Sequence, residues 1–547
     1  MPTQIFESPR PMSESGLWGL LVDFYREHGP DAWRSGKVPY RMTSNGYLAD
    51  VYASVADAFL RDWSRGGGKE MPLILEVGGG NGLFAWLFLN RLMRHHASDA
   101  AVPGFDYLLT DAAASNVQAW HEIPRLRHLV DAGPLDMGVL RIGGEISVET
   151  SSSKNWTELE LTSRPVVLIA NYVWDSLPCD LIRVREGRVF QELIALERAD
   201  GLDEDTDAFQ GLTSRFESQE LLQPYTGHEG VNEVLDGYRQ LPGEACIPVP
   251  LVTIAFLETF LGSDFPFLML AGDIAYTKPE FERHPPLMLS DYVACTVNFH
   301  MLGKIFERWG GGTSFAQQAD SHFAIGAFFK PSKGVEVPLT REAARHELYH
   351  FTPLDADSIK KALQAHSGKL DFRTVCAWLR LARFDAHSAG WCLTHLTRIV
   401  EEGEPFDRRI LYESLLEAYR CELPEALGEE SLDSRIAFLF VMAKMYEETA
   451  QLLTMSMPET GRSAERLYLL AVAVKRLGRE EEASRLLFEL LDDDPGYWTA
   501  MPGAEGTLSE VVEWLLSAEE DDLHLDHIVL RLSVAAFSEL DASEQPA

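Results

Sequence analysis

The chain has 547 residues, which is too long for one hydrophobic core, so two or three domains are expected. Its hydrophobic fraction of 46% and charged fraction of 24% are typical of a soluble globular protein. A formal net charge of −36 repels nucleic-acid phosphates and anionic membranes, so we expect neither nucleic acid nor membrane as a partner.

The cysteine spacing and the length of the apolar runs indicate in which cellular compartment the protein is found. None of the six cysteines forms a CxxC pair, which argues against a disulfide framework or a cysteine zinc cluster. The N-terminal stretch lacks the layout of a signal peptide, and no apolar run reaches the ~18 residues needed to span a bilayer. We therefore predict a cytoplasmic protein.

Residues 1–70 are predicted to form an N-terminal helical cap. Apolar residues recur at three- and four-residue spacing in 15–25 and 48–60, which predicts two helices. The turn-rich segment 36–46 between them could lie over a pocket.

Residues 71–335 alternate strand and helix, which predicts a parallel sheet in an α/β fold. The first strand is Leu73–Val77, followed directly by a cluster of glycines. A β-hairpin is predicted over 181–196, about Glu186 and Gly187. Further strands are predicted at Tyr107–Thr110, His128–Val130, Val166–Ala170, Phe267–Gly272 and Ala324–Phe329.

Polar residues follow several of these strands. Asp111, Asp131 and Asn171 end the second, third and fourth strands, and Asp273 ends a later one. Ligands of open α/β sheets bind outside the carboxyl ends of the strands. A ligand crevice is therefore predicted beside the glycine cluster.

The last part, 336–547, reads as helix after helix. Residues 464–495 place Gly478, Ala483 and Pro495 at the offsets of a tetratricopeptide unit, and 435–456 is a weaker copy. We predict a degenerate helical-repeat domain that binds a protein partner. A generic helical bundle is the alternative.

Three classes of ligand bind at glycine turns that follow a first strand, and each class requires a different sequence pattern. A phosphate-binding loop needs Gly-Lys followed by Ser or Thr, which the turn lacks. The dinucleotide fingerprint would place its third glycine at position 83, which is Leu83. The remaining pattern is ExGxGxG, formed by Glu76, Gly78, Gly80 and Gly82.

This pattern resembles motif I of class I S-adenosylmethionine (SAM) methyltransferases. The resemblance implies a Rossmann-like core that binds SAM as its cofactor, with the glycines beside its amino-acid part. It also implies that Asp111 binds the ribose hydroxyls and that Asp131 contacts the adenine.

A second stretch, Ile169–Pro178, resembles the NExxDALP segment of the MidA family, which includes a mitochondrial complex I assembly factor. The similarity extends over about residues 36–330 and leaves out the helical repeats. The resemblance to that family implies SAM-dependent methylation of arginine in a partner protein. The further matching stretches are Thr43-Ser44 with Tyr47–Phe59, Asp273–Ala275, Val293–Trp309 and the segment 318–326.

Two residues depart from the MidA pattern. Tyr172 replaces a glutamate and Ala275 replaces the glycine of a DYG motif. A guanidinium is best held by carboxylates, so losing one weakens the case for an arginine acceptor. We predict that Asn171 and Asp175 line the acceptor side as catalytic residues. The alternative is that they only hold a turn before Pro178.

Two rival functions remain. His346–His350 reads HELYH, an HExxH motif that on a helix could hold zinc in a metalloprotease. Pro353 ends that helix and no third ligand is evident, so we expect no metal there. The other rival is a binding scaffold that has lost catalysis. The oligomeric state has no indicator in the sequence.

Overall fold

The computed structural model describes residues 3–35, 38, 40–97, 104–144, 146–150, 155–199, 209–221, 223, 225–289, 292–316, 323–350, 352–365, 370–428 and 430–493. The chain divides into two compact units, Met1–Asp357 and Ser358–Ala547. None of the described helices is both long and apolar enough to cross a membrane.

The first unit is mixed α/β. Its strands are β1 (Thr3–Pro11), β2 (Leu73–Val77), β3 (Asp106–Asp111), β4 (Leu135–Val139), β5 (Ser147–Thr150), β6 (Asn155–Thr157), β7 (Val166–Asn171), β8 (Asp180–Arg185), β9 (Arg188–Ala199), β10 (Leu212–Glu220), β11 (Glu244–Val249), β12 (Phe267–Ile274), β13 (Leu287–Leu289), β14 (Val293–Cys295), β15 (Gly312–Phe315) and β16 (Phe323–Lys330). Its helices are α1 (Leu17–His28), α2 (Asp31–Arg34), α3 (Gly46–Arg65), α4 (Leu83–Ala97), α5 (Ala114–Glu122), α6 (Pro124–Ala132), α7 (Glu158–Thr162), α8 (Glu229–Tyr238), α9 (Leu251–Leu261), α10 (Phe299–Arg308) and α11 (Pro338–His350). Two short 3₁₀ helices lie at Met12–Glu14 and Trp174–Ser176.

The larger sheet has the strand order β15-β16-β12-β7-β2-β3-β4-β5-β6. The five strands from β12 to β4 are parallel, and β16 is antiparallel to β12. All residues of β2 are buried, as expected for a parallel strand covered on both faces. The strand order reverses at β2, because β3 lies on one side of it and β7 on the other. Ligands of doubly wound sheets bind at such a switch point.

Most of the predicted strands are confirmed, but one is wrong. The strand predicted at His128–Val130 lies within α6, and the third parallel strand is Leu135–Val139. Pro124 at the first turn of α6 and Gly133 after its end, at a φ of 102°, are typical helix boundaries. The short apolar run was one face of this helix.

A second sheet has the order β1-β9-β8-β11, with β10 also paired to β9. Residues 3–11, predicted to belong to a helical cap, instead form an edge strand against β9. Helix α1 follows, and its Leu17, Leu21 and Phe24 pack into the core of this sheet. These contacts attach the N-terminal segment, residues 3–35, to the second sheet, whose other strands all follow β7 in the chain.

The residues that the structure describes after α11, up to residue 493, form helices, as predicted. They are α12 (Pro353–Ala365), α13 (Phe372–Leu381), α14 (Ala386–Glu401), α15 (Arg408–Cys421), α16 (Pro424–Leu427), α17 (Asp433–Met442), α18 (Tyr446–Thr460), α19 (Ala464–Arg476) and α20 (Glu480–Asp493).

The turns α17–α18 and α19–α20 have the same geometry. Lys444 and Gly478 both adopt left-handed backbone, with φ of 55° and 80°. In each turn the next N–H reaches back five residues, from Met445 to the Phe440 carbonyl and from Arg479 to the Val474 carbonyl. Two similar helix pairs therefore follow one another. Their assignment as tetratricopeptide units stays a prediction, and Pro495 lies outside the described residues.

A buried ion pair joins α17 to α19. The Arg466 Nε and Nη2 atoms donate to the two carboxylate oxygens of Asp433 at 2.9 Å each, and the Thr460 hydroxyl also donates to Asp433 at 3.0 Å. Burial acts to raise the pKa of Asp433, but the hydrogen bond and charge of Arg466, together with neighbouring hydroxyl groups such as that of Thr460, act to lower it, and the net shift is downward. This pair fixes the register of the two helix pairs.

We predict that Arg466→Met lowers the free energy of unfolding by about 3 kcal/mol, because it leaves the Asp433 carboxylate buried without its cation. Urea unfolding of the full chain, followed by circular dichroism, measures this change. Arg409→Met, which removes an exposed ion pair with Glu413, is the control and should leave the midpoint nearly unchanged. Equal effects of the two substitutions would contradict a structural role for the buried pair.

Candidate functional site

The glycine turn connects β2 to α4 at the switch point. Gly78, Gly80 and Gly82 have φ angles of 66°, 56° and 80°, in the left-handed region that other residues rarely adopt. The Gly79 N–H donates to the Thr110 carbonyl on β3 at 2.9 Å, which ties the turn to the next strand. The glycines are therefore required by the path of the backbone.

The space beside these glycines is occupied by the chain itself. A Cβ built on Gly78 would lie 2.6 Å from Val173, and one on Gly80 would lie 3.0 Å from the Trp33 indole. One on Gly82 would lie 3.0 Å from Leu126. Side chains from three different segments of the chain therefore lie against the glycine backbone, where a ligand was expected to lie.

Asp111 ends β3 and is bonded directly to the turn. Its Oδ2 atom accepts the Gly80 N–H at 2.9 Å, and its Oδ1 atom accepts the Ala113 N–H at 2.8 Å. The Trp120 indole N–H donates to the Gly80 carbonyl at 2.9 Å from the other side. Burial raises the pKa of Asp111, and the backbone donors oppose that rise.

Glu76 lies inside the sheet, where it accepts a hydrogen bond from the Tyr107 hydroxyl on β3. Burial raises the pKa of Glu76 to about 8; the Tyr107 bond opposes this rise and the nearby Asp111 adds to it. The carboxyl is therefore mostly protonated at neutral pH. Glu76 joins β2 to β3 beneath the turn.

Several buried polar atoms around Asp111 have no hydrogen-bond partner within the described part of the chain. They are Asn81 Nδ2, Ser115 Oγ, and the Oδ1 and Nδ2 atoms of Asn116. The Asn116 amide lies close enough to Asp111 to lower the pKa of that carboxyl, yet neither of its atoms forms a hydrogen bond of normal geometry. Buried polar groups without partners are uncommon, and a bound water or ligand would satisfy these four atoms.

Asn171 ends β7 on the opposite side of β2. Its Oδ1 atom accepts the Tyr52 hydroxyl and the Gly272 N–H, both at 3.1 Å, while its Nδ2 atom is buried without a partner in the described structure. Tyr172 follows in left-handed backbone at a φ of 52°. Strained backbone of this kind clusters at functional sites.

Asp175 and Asp273 form a pair of buried carboxyl groups. Asp273, at the end of β12, accepts the backbone N–H groups of Trp174 at 3.0 Å and Asp175 at 3.3 Å. It thereby holds the short helix that carries Asp175. Burial raises the pKa of Asp175 to about 6, against a hydrogen bond from Ser176. Burial, and then the charge of Asp175, raise the pKa of Asp273 well above its usual value.

Two aromatic residues of the N-terminal segment also reach this site. The rings of Tyr25 and Trp33 stack with centroids 5.7 Å apart. Burial raises the pKa of the Tyr25 hydroxyl, and the charges of Asp175 and Asp111 raise it further. The two carboxylates, predicted for opposite sides of the site, are therefore both near enough to Tyr25 for their charges to act on its hydroxyl. The sequence did not predict that Tyr25 and Trp33 belong to the site, because their position depends on the long-range pairing of β1 with β9.

The structure does not place Asp131 at the site. Asp131 is an exposed residue of α6, whereas the parallel strand that follows this helix ends at Val139. Its predicted contact with adenine depended on the wrong strand assignment. The other strand-end residues, Asp111 and Asn171, lie at the carboxyl ends of β3 and β7 as predicted.

The HELYH motif lies at the end of α11. His346 is exposed, with 68% of its side chain accessible, and is 3.4 Å from Glu347; the side chain of His350 lies outside the described residues. Across the described chain, no three His, Cys, Asp or Glu side chains are placed to hold a metal. A cleft of about 760 Å³ between α3 and α11 includes His346, but its lining residues include none of those around Asp111 and Asp175.

No family model matches the chain, and no curated protein matches it. Among solved structures, an uncharacterized ACR, COG1565 superfamily protein from Burkholderia thailandensis is 14% identical, with a TM-score of 0.37 over 61% of this chain and 89% of that one. A COG1565 superfamily member and suggested methyl transferase from the same organism, bound to S-adenosyl-homocysteine, is 12% identical, with a TM-score of 0.34 over 60% and 95%. Similarity at this level identifies neither a family nor an activity for this chain.

The protonated state of Glu76 gives a testable pH dependence. Because its pKa rises from 4.5 to about 8 on folding, the folded state holds a proton that the unfolded state has released. Wild-type stability should therefore fall between these pH values, and Glu76→Gln should gain stability relative to wild type as pH rises. Urea unfolding at several pH values measures this difference.

Tyr107→Phe is the matched variant: losing the hydroxyl donor should raise the folded-state pKa of Glu76 further, so the stability loss should still begin near pH 4.5 but extend to higher pH than in wild type. A difference between Glu76→Gln and wild type that stays constant from pH 5 to about pH 8 would contradict the buried, protonated carboxyl.

Proposed function

We propose that the chain is a SAM-dependent methyltransferase whose cofactor lies across the glycine turn. The observation that carries the proposal is the bond between Asp111 and the Gly80 N–H at the switch point of the sheet. It places a carboxylate, a turn of left-handed glycines and the start of α4 together where such sheets bind ligands.

The strand arrangement favours this function over dinucleotide binding. The parallel run β4-β3-β2-β7-β12 is followed by the antiparallel β16, which lies between β12 and β15. This resembles the sheet of class I methyltransferases, whereas the dinucleotide-binding sheet continues with a parallel strand. Leu83 at the position of the third fingerprint glycine agrees with this distinction.

The residues present fit the cofactor. The Asp111 carboxylate keeps lone pairs beyond the two backbone bonds, so it can accept the ribose hydroxyls. Asn81, Ser115 and Asn116 have buried polar atoms without a hydrogen-bond partner in the described structure, and these atoms could bond to the cofactor. When bound, SAM would supply the electrophilic methyl group. The chain's own part is to hold the cofactor, align the acceptor and exclude water.

Asn171 and Asp175 are the proposed acceptor-side residues. With a pKa of about 6, Asp175 is mostly ionised at neutral pH, so it can hold a cationic acceptor or take its proton. Tyr172, in place of the family glutamate, packs its ring 5.5 Å from Phe323 and adds no carboxylate. A protein substrate recruited by the helical repeats, with arginine as one acceptor, remains our proposal.

A second candidate is a binding scaffold without catalysis. Its support is the packing of Trp33 and Val173 against Gly80 and Gly78, which fills space beside the turn. Cofactor titration separates the two candidates.

We expect the full chain to bind both SAM and S-adenosyl-homocysteine saturably in isothermal titration calorimetry. Gly80→Ala should weaken the affinity about tenfold, because a side chain at a φ of 56° is strained and would press on Trp33. Gly144→Ala is the control, since a Cβ there meets nothing. Absence of binding at millimolar ligand would reject the enzyme in favour of the scaffold.

Asp175→Asn should leave the affinity for S-adenosyl-homocysteine within about twofold, because Asp175 lies on the acceptor side. The same substitution should abolish transfer of labelled methyl from SAM to acceptor proteins in a cell extract. Loss of cofactor affinity in Asp175→Asn would instead move Asp175 to the cofactor side.

A further inference from the structure

The N-terminal segment contributes an aromatic wall to the site, formed by Tyr25 and Trp33. Their stacked rings belong to α1 and to the four-residue helix α2. The segment is anchored elsewhere, because β1 pairs with β9 and the apolar face of α1 packs into the second sheet. The wall is therefore held in place independently of the glycine turn.

The position of this wall is defined at both ends. The Trp33 indole lies on the glycine turn, with Cζ2 and Cε2 at 3.0 and 3.1 Å from a Cβ built on Gly80. The Tyr25 hydroxyl is close enough to Asp111 and Asp175 for both charges to raise its pKa. The wall thus lines the space between the cofactor-side carboxylate and the acceptor-side carboxylate.

That space is where the transferable methyl group has to lie. A cofactor held by Asp111 and an acceptor held by Asp175 must meet between the two residues, which puts the sulfonium next to the wall. SAM carries a positive charge on its sulfur, and the product thioether is neutral. The face of an indole ring attracts cations more strongly than any other aromatic face.

We propose that Trp33 is a cofactor-binding residue whose indole favours the sulfonium of SAM over the neutral sulfur of S-adenosyl-homocysteine. The inference rests on the proposed function and adds a selectivity to it. The wall holds the methyl donor more tightly than the spent cofactor, so transfer of the methyl group itself weakens the contact and eases product release.

The experiment compares the two ligands by calorimetry on full-length wild type, Trp33→Phe and Trp33→Leu. Measurements at about pH 7 keep Asp175 mostly ionised, since its pKa is about 6, and Glu76 mostly protonated, since its pKa is about 8. In Trp33→Leu the affinity ratio of SAM to S-adenosyl-homocysteine should fall by about fivefold to tenfold, with a smaller fall in Trp33→Phe. Trp309→Leu, at an exposed tryptophan next to α10, is the control and should keep the wild-type ratio.

Three results would overturn the inference. If Trp33→Leu lowers the affinities for both ligands equally, Trp33 contributes only apolar packing, because leucine keeps the bulk of the side chain but has no π face. Tighter binding of both ligands would make Trp33 an obstacle at the turn. Wild-type protein that binds neither ligand would instead remove the proposed function, and the Trp33 assignment with it.

Discussion

The hydrogen bond from the Gly80 N–H to Asp111 is the contact on which the site depends. It can form because parallel pairing of β2 and β3 brings their carboxyl ends to one edge, and because left-handed glycines turn the backbone toward β3. Both partners are buried, so losing either would leave a polar group unsatisfied. The contact therefore makes the glycine turn and the carboxylate one rigid unit.

The N-terminal segment completes the site from outside the sheet. It is attached through β1 and α1 to the second sheet, and it places Trp33 on the turn and Tyr25 near both Asp111 and Asp175. Asp273 adds a second fixed point, because it accepts two backbone N–H groups of the helix that carries Asp175. The proposed cofactor side and the proposed acceptor side are thus built from different segments that meet at one edge.

Local patterns predicted the central strands and the glycine turn correctly, because a buried apolar run followed by glycines depends on neighbouring residues alone. The same reasoning failed at His128–Val130, where three apolar or half-apolar residues fit a helix face as well as a strand. It missed β1, Tyr25 and Trp33, whose positions follow from pairing between residues nearly two hundred positions apart (Thr3 opposite Ala199). Asp273 was visible as a strand end, but its bond to Asp175 required the order of β7 and β12.

The most direct test of a cofactor site at the switch point is hydrogen–deuterium exchange of the full chain with and without S-adenosyl-homocysteine. A cofactor bound at the switch point should slow exchange in the glycine turn, residues 78–84, and after β3, residues 111–117, and should leave the cleft between α3 and α11 unchanged. Unchanged exchange at millimolar ligand, or protection confined to that cleft, would contradict it.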